Sequence, residues 1–158
     1  MKVNTVGKIL SNTDRAYIAG FIDGDGAIMA WIERHKEKRF GFRVRVVVKI
    51  TQAHKKDVLW PFKITGIGRI QKNRDTFEWI VKNQRDIKWI LEMISPYLYG
   101  KKQQAKIATK IIDSEAITKK QFYRIACLAD KLSLLNVRSK NRRKNFASIV
   151  KESISRND

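Results

Sequence analysis

Ala16-Tyr17-Ile18-Ala19-Gly20-Phe21-Ile22-Asp23-Gly24-Asp25-Gly26 is the stretch of this 158-residue chain from which its fold can be read. Asn12 or Thr13 caps a helix here, with Asp14 in its first turn and Tyr17, Ile18, Phe21 and Ile22 on its apolar face, and the helix ends near Gly24. Ala16, Gly20 and Gly24 recur every four residues and line one face, where their lack of bulk lets a second helix approach closely. The same spacing serves packing within one chain equally well. Asp25 lies just past the helix end, where open carbonyls and a partial negative charge favour a cation. As an isolated Asp-Gly pair, Asp25-Gly26 would read simply as a turn.

Working outward, Ala27 to Glu33 and Phe42 to Thr51 alternate or run β-branched and are predicted as strands, with residues 34–41 connecting them. A short helix is expected from about Ala53, broken or kinked at Pro61 because proline lacks an amide donor and crowds the preceding turn. Gly66 and Gly68 open a second hairpin, Arg69 to Lys72 and Phe77 to Lys82, joined across Asn73-Arg74-Asp75. Ile87, Ile90, Leu91 and Ile94 predict a helix over Gln84 to Ile94. Further helices are expected over Lys101 to Asp113, Thr118 to Leu135 and Asn141 to Ile154. This order predicts one α+β domain over residues 1–158, with a four-stranded antiparallel sheet covered by helices on one face and open on the other.

Strand parity sorts the sheet residues. Val44, Val46, Val48 and Ile50 turn toward the helices, while Arg43, Arg45, Val47 and Lys49 form a basic stripe on the open face. Met29, Trp31, Glu33 and His35 continue that face on the first strand, and Gln71, Asn73, Glu78 and Ile80 extend it from the second hairpin. A DNA major groove is wide enough for such a ribbon, and arginine pairs with guanine there. A solvated face is the plainer reading of the same pattern.

Charge narrows the partners. The chain carries 34 Lys and Arg against 15 Asp and Glu, a net +19. So large an excess repels itself in a compact state and points to a polyanion, with nucleic acid first. No long apolar run or signal peptide suggests a membrane or secretion. Two histidines and one cysteine make no zinc cluster, and Cys127 reads as a core thiol in a reducing compartment. The run Arg138-Ser139-Lys140-Asn141-Arg142-Arg143-Lys144 reads as a phosphate-contacting edge, through Arg142 and Arg143, or as a solvated helix start.

The stretch 16–26 resembles the LAGLIDADG signature in the single-copy form typical of homodimeric homing endonucleases, and no second copy is present. The resemblance covers most of the chain, because the element order, Gln52 after the second strand and Lys101 before a later helix also match. It implies an αββαββα fold with a saddle-shaped sheet and a homodimer joined through Ala16, Ala19, Gly20, Asp23 and Gly24. It implies a divalent metal, Mg2+ with Mn2+ or Ca2+ able to substitute, held by Asp25 and the Gly24 carbonyl, and no small-molecule cofactor. Catalytic roles fall to Asp25, to Gln52 as a water-ordering amide, to Lys101 as a charge stabiliser and to Lys56 as a further basic group; Asp23 takes a structural role.

The activity so implied is cleavage of both strands of a long, imperfectly palindromic DNA duplex across the minor groove, leaving short 3′ overhangs and serving intron or intein mobility. The setting implied is a prokaryotic cytoplasm or an organellar matrix. The alternatives are an RNA maturase or regulator that keeps the fold without cutting, and a basic chromatin protein with little sequence preference.

Overall fold

In the computed structural model, which describes residues 9–136 and 145–155, Ser11 rather than Asn12 or Thr13 caps the first helix, α1 (Asn12–Asp25). The Ser11 hydroxyl accepts from the Asp14 amide at 3.1 Å, and the Asp14 carboxylate takes the Ser11 amide at 3.3 Å. This reciprocal capping box satisfies two backbone donors together, which neither neighbouring residue achieves. Ser11→Ala is expected to cost about 1 kcal/mol, seen as a lower urea midpoint with an unchanged slope.

The chain continues through β1 (Gly26–Arg34), β2 (Phe42–Gln52), α2 (Lys55–Thr65), β3 (Arg69–Asn73), β4 (Thr76–Val81) and α3 (Gln84–Ile94). A 3-10 turn at Ser95–Tyr97 leads to α4 (Lys102–Asp113), α5 (Lys119–Asn136) and α6 (Phe146–Ser155). The four strands form one antiparallel sheet in the order β1-β2-β4-β3. β4 pairs with β2 only from Val48 to Gln52, which leaves the Val46 peptide open on that side. Gln84 closes the gap like a strand residue, accepting from the Val46 amide at 2.9 Å and donating to its carbonyl at 2.8 Å.

Two helices depart from the sequence reading. Pro61 does not end α2, which runs on to Thr65; its ring is buried, and Thr65 Oγ1 donates to the Pro61 carbonyl at 2.6 Å. The helix stops instead at Gly66, whose φ of 68° is the left-handed conformation that favours glycine. The last described helix begins at Phe146 rather than Asn141. Asp130 of α5 accepts from the Phe146 and Ala147 amides at 2.6 and 3.0 Å, so its cap comes from another helix. Residues 137–144, including Arg142 and Arg143, lie outside the described residues.

The core lies between the sheet and its helices. Ile18 and Ile22 of α1 meet Ile28 of β1, Val46, Val48 and Ile50 of β2, Trp79 and Val81 of β4, and Ile87, Ile90, Leu91 and Ile94 of α3. Trp79 is fully buried with its indole N–H donated to the Ile67 carbonyl at 2.9 Å, so its burial leaves no unsatisfied donor. A smaller cluster, Phe42, Phe122, Ala126, Ala147 and Val150, joins α5 and α6 to the sheet's far end. Cys127 is half-buried beside this cluster rather than inside the core. No helix of the described residues is long and apolar enough to cross a membrane.

Candidate functional site

Asp25 is the last residue of α1, and the chain turns at once into β1 through Gly26. A Cβ at Gly26 would come within 2.6 Å of the Ile22 Cα and 2.8 Å of its carbonyl oxygen, so only glycine lets the strand fold back this tightly. The Asp25 carboxylate is thereby held exposed at the helix C-terminus. Gln52, at the end of β2, donates its amide to Asp25 Oδ2 at 2.8 Å, which joins the two polar residues expected to share the site.

Asp23 anchors the other wall. Its carboxylate accepts from the Tyr99 amide at 2.7 Å and the Lys101 amide at 2.8 Å, and the Lys101 ammonium donates to the Asp23 carbonyl at 2.6 Å. The motif's first acid therefore clasps the loop before α4 and brings Lys101 to the end of α1. A cleft of about 510 Å³ opens there, lined by Asp23, Gly24, Asp25, Lys101 and Gln104 among others.

The electrostatics of this corner suit a hard cation. Asp25 makes no ion pair among the described residues, its hydrogen-bond donor is a neutral amide, and the last turn of α1 holds no basic residue. An exposed carboxylate beside the helix-end carbonyl of Gly24 offers oxygen ligands of the kind magnesium and calcium accept. No group of three or more His, Cys, Asp or Glu that could hold a metal ion occurs among the described residues.

The expected interface residues separate into two sets. Ala16, Gly20 and Gly24 lie exposed along one face of α1, and a Cβ at Gly20 or Gly24 would meet nothing within 4 Å. Ala19 points the other way into the core, fully buried, because it stands beside Ile18 and Ile22 on the helix's inner side.

The open sheet face is more heavily paired than parity alone suggests. Glu33 and Arg43 form a 2.7 Å ion pair across β1 and β2, and the Arg43 hydrogen bond holds the Glu33 carboxyl below its ordinary range. Arg45 donates to the Lys82 carbonyl at 3.3 Å, and the Lys82 ammonium sits 5.5 Å above the Trp31 ring. Glu78 gathers Lys49 at 2.7 Å, Gln71 at 2.8 Å and Asn73 at 3.1 Å. Glu78 is 3% exposed and Ile80 4%, so neither has much surface to offer a duplex; they support the side chains around them. Val47 is buried as well. Met29 lines the cleft, His35 sits half-buried at the start of the β1–β2 turn, and Lys56 is exposed on the first turn of α2 outside the cleft lining.

Burial alone would push the Glu78 carboxyl up, but hydrogen bonds from Lys49, Asn73 and Gln71, with the Lys49 charge, outweigh it and bring its pKa down from 4.5 to about 2. A carboxyl depressed in the folded state contributes stability that is full above its unfolded pKa and lost as pH falls through the folded one. Stability is therefore expected to drop between pH 4.5 and about 2, and acid titration of Glu78→Gln should show a shallower drop across that window.

Gln104, Asn136 and the Asp23 clasp are features of the cleft that the sequence pattern does not reveal. The family resemblance gives Asp23 an interface position and a general structural role, and no spacing rule links it to Tyr99 and Lys101. Asn136 donates to the Ile28 carbonyl at 2.6 Å and ties the end of α5 to the sheet beside the cleft.

Comparison with known proteins agrees with this arrangement. The LAGLIDADG endonuclease family profile matches residues 18–112, which span α1 through α4. DNA endonuclease I-CvuI of Chlorella vulgaris is 34% identical over 125 residues, covering 76% of this chain and 78% of that protein. DNA endonuclease I-CreI of Chlamydomonas reinhardtii is 25% identical over 125 residues, covering 76% of this chain and 77% of its own. The crystal structure of I-CvuI with the I-CreI target in the presence of 2 mM Mg, in which the DNA is not cleaved, superposes with a TM-score of 0.83 and 31% identity over 91% of this chain and 94% of that one. The archaeal intron-encoded homing endonuclease I-Vdi141I, complexed with DNA, shares the fold with a TM-score of 0.81 at 22% identity, over 92% of this chain and 96% of its own. With a glycine-hinged acid at the end of α1, a four-stranded sheet beside it and a profile match over more than half its length, this chain belongs to the LAGLIDADG endonuclease family.

Proposed function

We propose that the chain is a site-specific, metal-dependent DNA endonuclease that works as a homodimer and cuts both strands of a double-stranded target. The observation that carries this reading is the exposed Asp25 carboxylate, bonded to Gln52 and flanked by Lys101, at the helix end from which the open sheet begins. Asp25 and the Gly24 carbonyl would hold a divalent ion, Mg2+ in the working enzyme. When bound, such an ion lowers the pKa of water and stabilises a leaving oxygen on phosphorus.

The chain's own residues do the rest. Gln52 both donates and accepts hydrogen bonds, so it orients a water toward the phosphate while fixing the Asp25 carboxylate. Lys101 brings a positive charge to the cleft, where negative charge develops on the phosphoryl oxygens. Arg45 and the Glu78-supported trio of Lys49, Gln71 and Asn73 read base edges in the major groove. The net charge of +19 draws the duplex in at a rate that falls with salt. One chain supplies one Asp25, so cleavage of two strands calls for two copies related by a two-fold axis through the α1 faces. I-CvuI has also been crystallised with its own target in the presence of 2 mM Ca, so both of its complexes were formed with a divalent ion present.

The test is selection from a randomised duplex library, comparing Mg2+, Ca2+ and a chelator. Cleavage at one recovered sequence in Mg2+ and none in chelator is the expected result. Binding without cleavage under every metal condition, or splicing of a bound RNA instead, would overturn the reading.

A further inference from the structure

Gln104 lines the cleft with a carboxamide that no described residue engages. It lies on α4, three positions past Lys101, and lines the cleft together with Asp25 and Lys101. Only 8% of it is exposed. Its neighbours Ala105 and Ala108 are buried in the core, yet its own carboxamide makes no hydrogen bond to any described residue. An amide carries two donors and a carbonyl acceptor, and neither Gln104 amide atom is among the fully buried, unpartnered polar atoms of the described residues, so the carboxamide stays open to solvent at the cleft. An amide open to the cleft can hydrogen-bond to what enters it, which Leu or Met at the same helical position could not do.

The cleft side also differs from the Gln52 side. Gln52 is bonded to Asp25 but is not among the cleft-lining residues, whereas Gln104 and Lys101 both are. From this placement we infer that Gln104 is a further positioning residue for phosphodiester cleavage. Its carboxamide holds the water that accompanies the scissile phosphate on the Lys101 side of Asp25, and so acts on the reacting oxygen through that water. Asp25 is then served by two glutamines from different elements, Gln52 fixing the carboxylate and orienting a water on its own side, and Gln104 ordering the solvent on the Lys101 side. This rests on the endonuclease reading above.

Gln104→Met keeps volume and helix preference while removing hydrogen bonding, and Gln104→Glu keeps an acceptor while adding a titrating charge. Both are compared with the parent on a duplex that the parent itself selected, by single-turnover rate, duplex Kd, melting temperature and pH–rate profile. The Met variant is expected to cleave about 10- to 100-fold more slowly, with Kd within threefold of the parent and a melting temperature unchanged or a few degrees higher. A packing role predicts the opposite pattern, a lower melting temperature with an unchanged rate. The Glu variant is expected to lose rate as pH rises through the titration of the new carboxyl, a limb that the parent profile lacks.

Parental rates in Gln104→Met would overturn the assignment and leave the nuclease reading intact. Should that variant not fold, a Gln104→Glu profile parallel to the parent's would overturn it equally. Failure of the parent to cleave any duplex in Mg2+ would remove both.

Discussion

Asp25→Asn is expected to abolish strand cleavage while leaving target binding intact. The substitution preserves shape and leaves a carbonyl oxygen to accept the Gln52 amide at the same place, so the corner of α1 and β2 should not move. Asp25 is exposed, and substitutions at such positions change stability by about 0.5 kcal/mol or less. What disappears is the formal charge that recruits a divalent ion. An ion's stabilisation of a phosphoryl transition state is worth several kcal/mol, so the cleavage rate should fall by about 10³-fold or more at about 1.36 kcal/mol per decade. Affinity for the duplex should stay within a few-fold, or rise slightly, since a negative charge facing phosphates has gone. A variant cutting within tenfold of the parent in Mg2+ would show that the metal and the chemistry lie elsewhere.

Gly20→Leu should separate folding from assembly. A Cβ at Gly20 meets nothing within 4 Å in the single chain, so a side chain there faces no steric opposition. Replacing a helical glycine should even gain the α-helix about 0.8 kcal/mol. If two α1 helices mate on this face, as proposed above, a leucine there must instead push them apart. The expected result is a chain with unchanged far-UV circular dichroism that sediments at half the parental mass. It should cleave at least about 100-fold more slowly at equal concentration, since specific two-fold interfaces lose most of their energy when a central close contact is broken. A Gly20→Leu chain that stays dimeric and active would place the subunit contact on another surface.

Both substitutions fall in the part of the molecule that is legible in the amino-acid sequence. α1 and α3 announce themselves through apolar residues at helical spacing, and Ile87, Ile90, Leu91 and Ile94 are all buried as that spacing requires. The strand runs and their parity are equally plain, and the motif's likeness to a known signature is what brings Asp25 and Gln52 into one site. Other features need either a local side-chain pairing that periodicity ignores or tertiary context. Ser11, Asn12 and Thr13 are all competent caps, and only the reach of Asp14 back to Ser11 decides among them. Pro61 is tolerated because its ring is buried, which local propensity does not know.

Parity puts Glu78 on the correct face but says nothing of the four side chains, Lys49, Thr51, Gln71 and Asn73, that donate to it. Gln104 sits in a run of lysines and glutamines that reads as an ordinary wet helix surface. Its place in the cleft beside Asp23 and Lys101 is a tertiary matter, for the Asp23 contacts to Tyr99 and Lys101 span nearly eighty positions.

That long-range anchor ties assembly to reactivity. Asp23 bolts α1, whose outer side is the mating face in our reading, to the segment that delivers the Lys101 ammonium. The Lys101 ammonium is therefore held at a fixed place relative to α1 by contacts within the same chain. If two copies mate through α1, the anchor that sets the mating face also sets where each Lys101 charge stands.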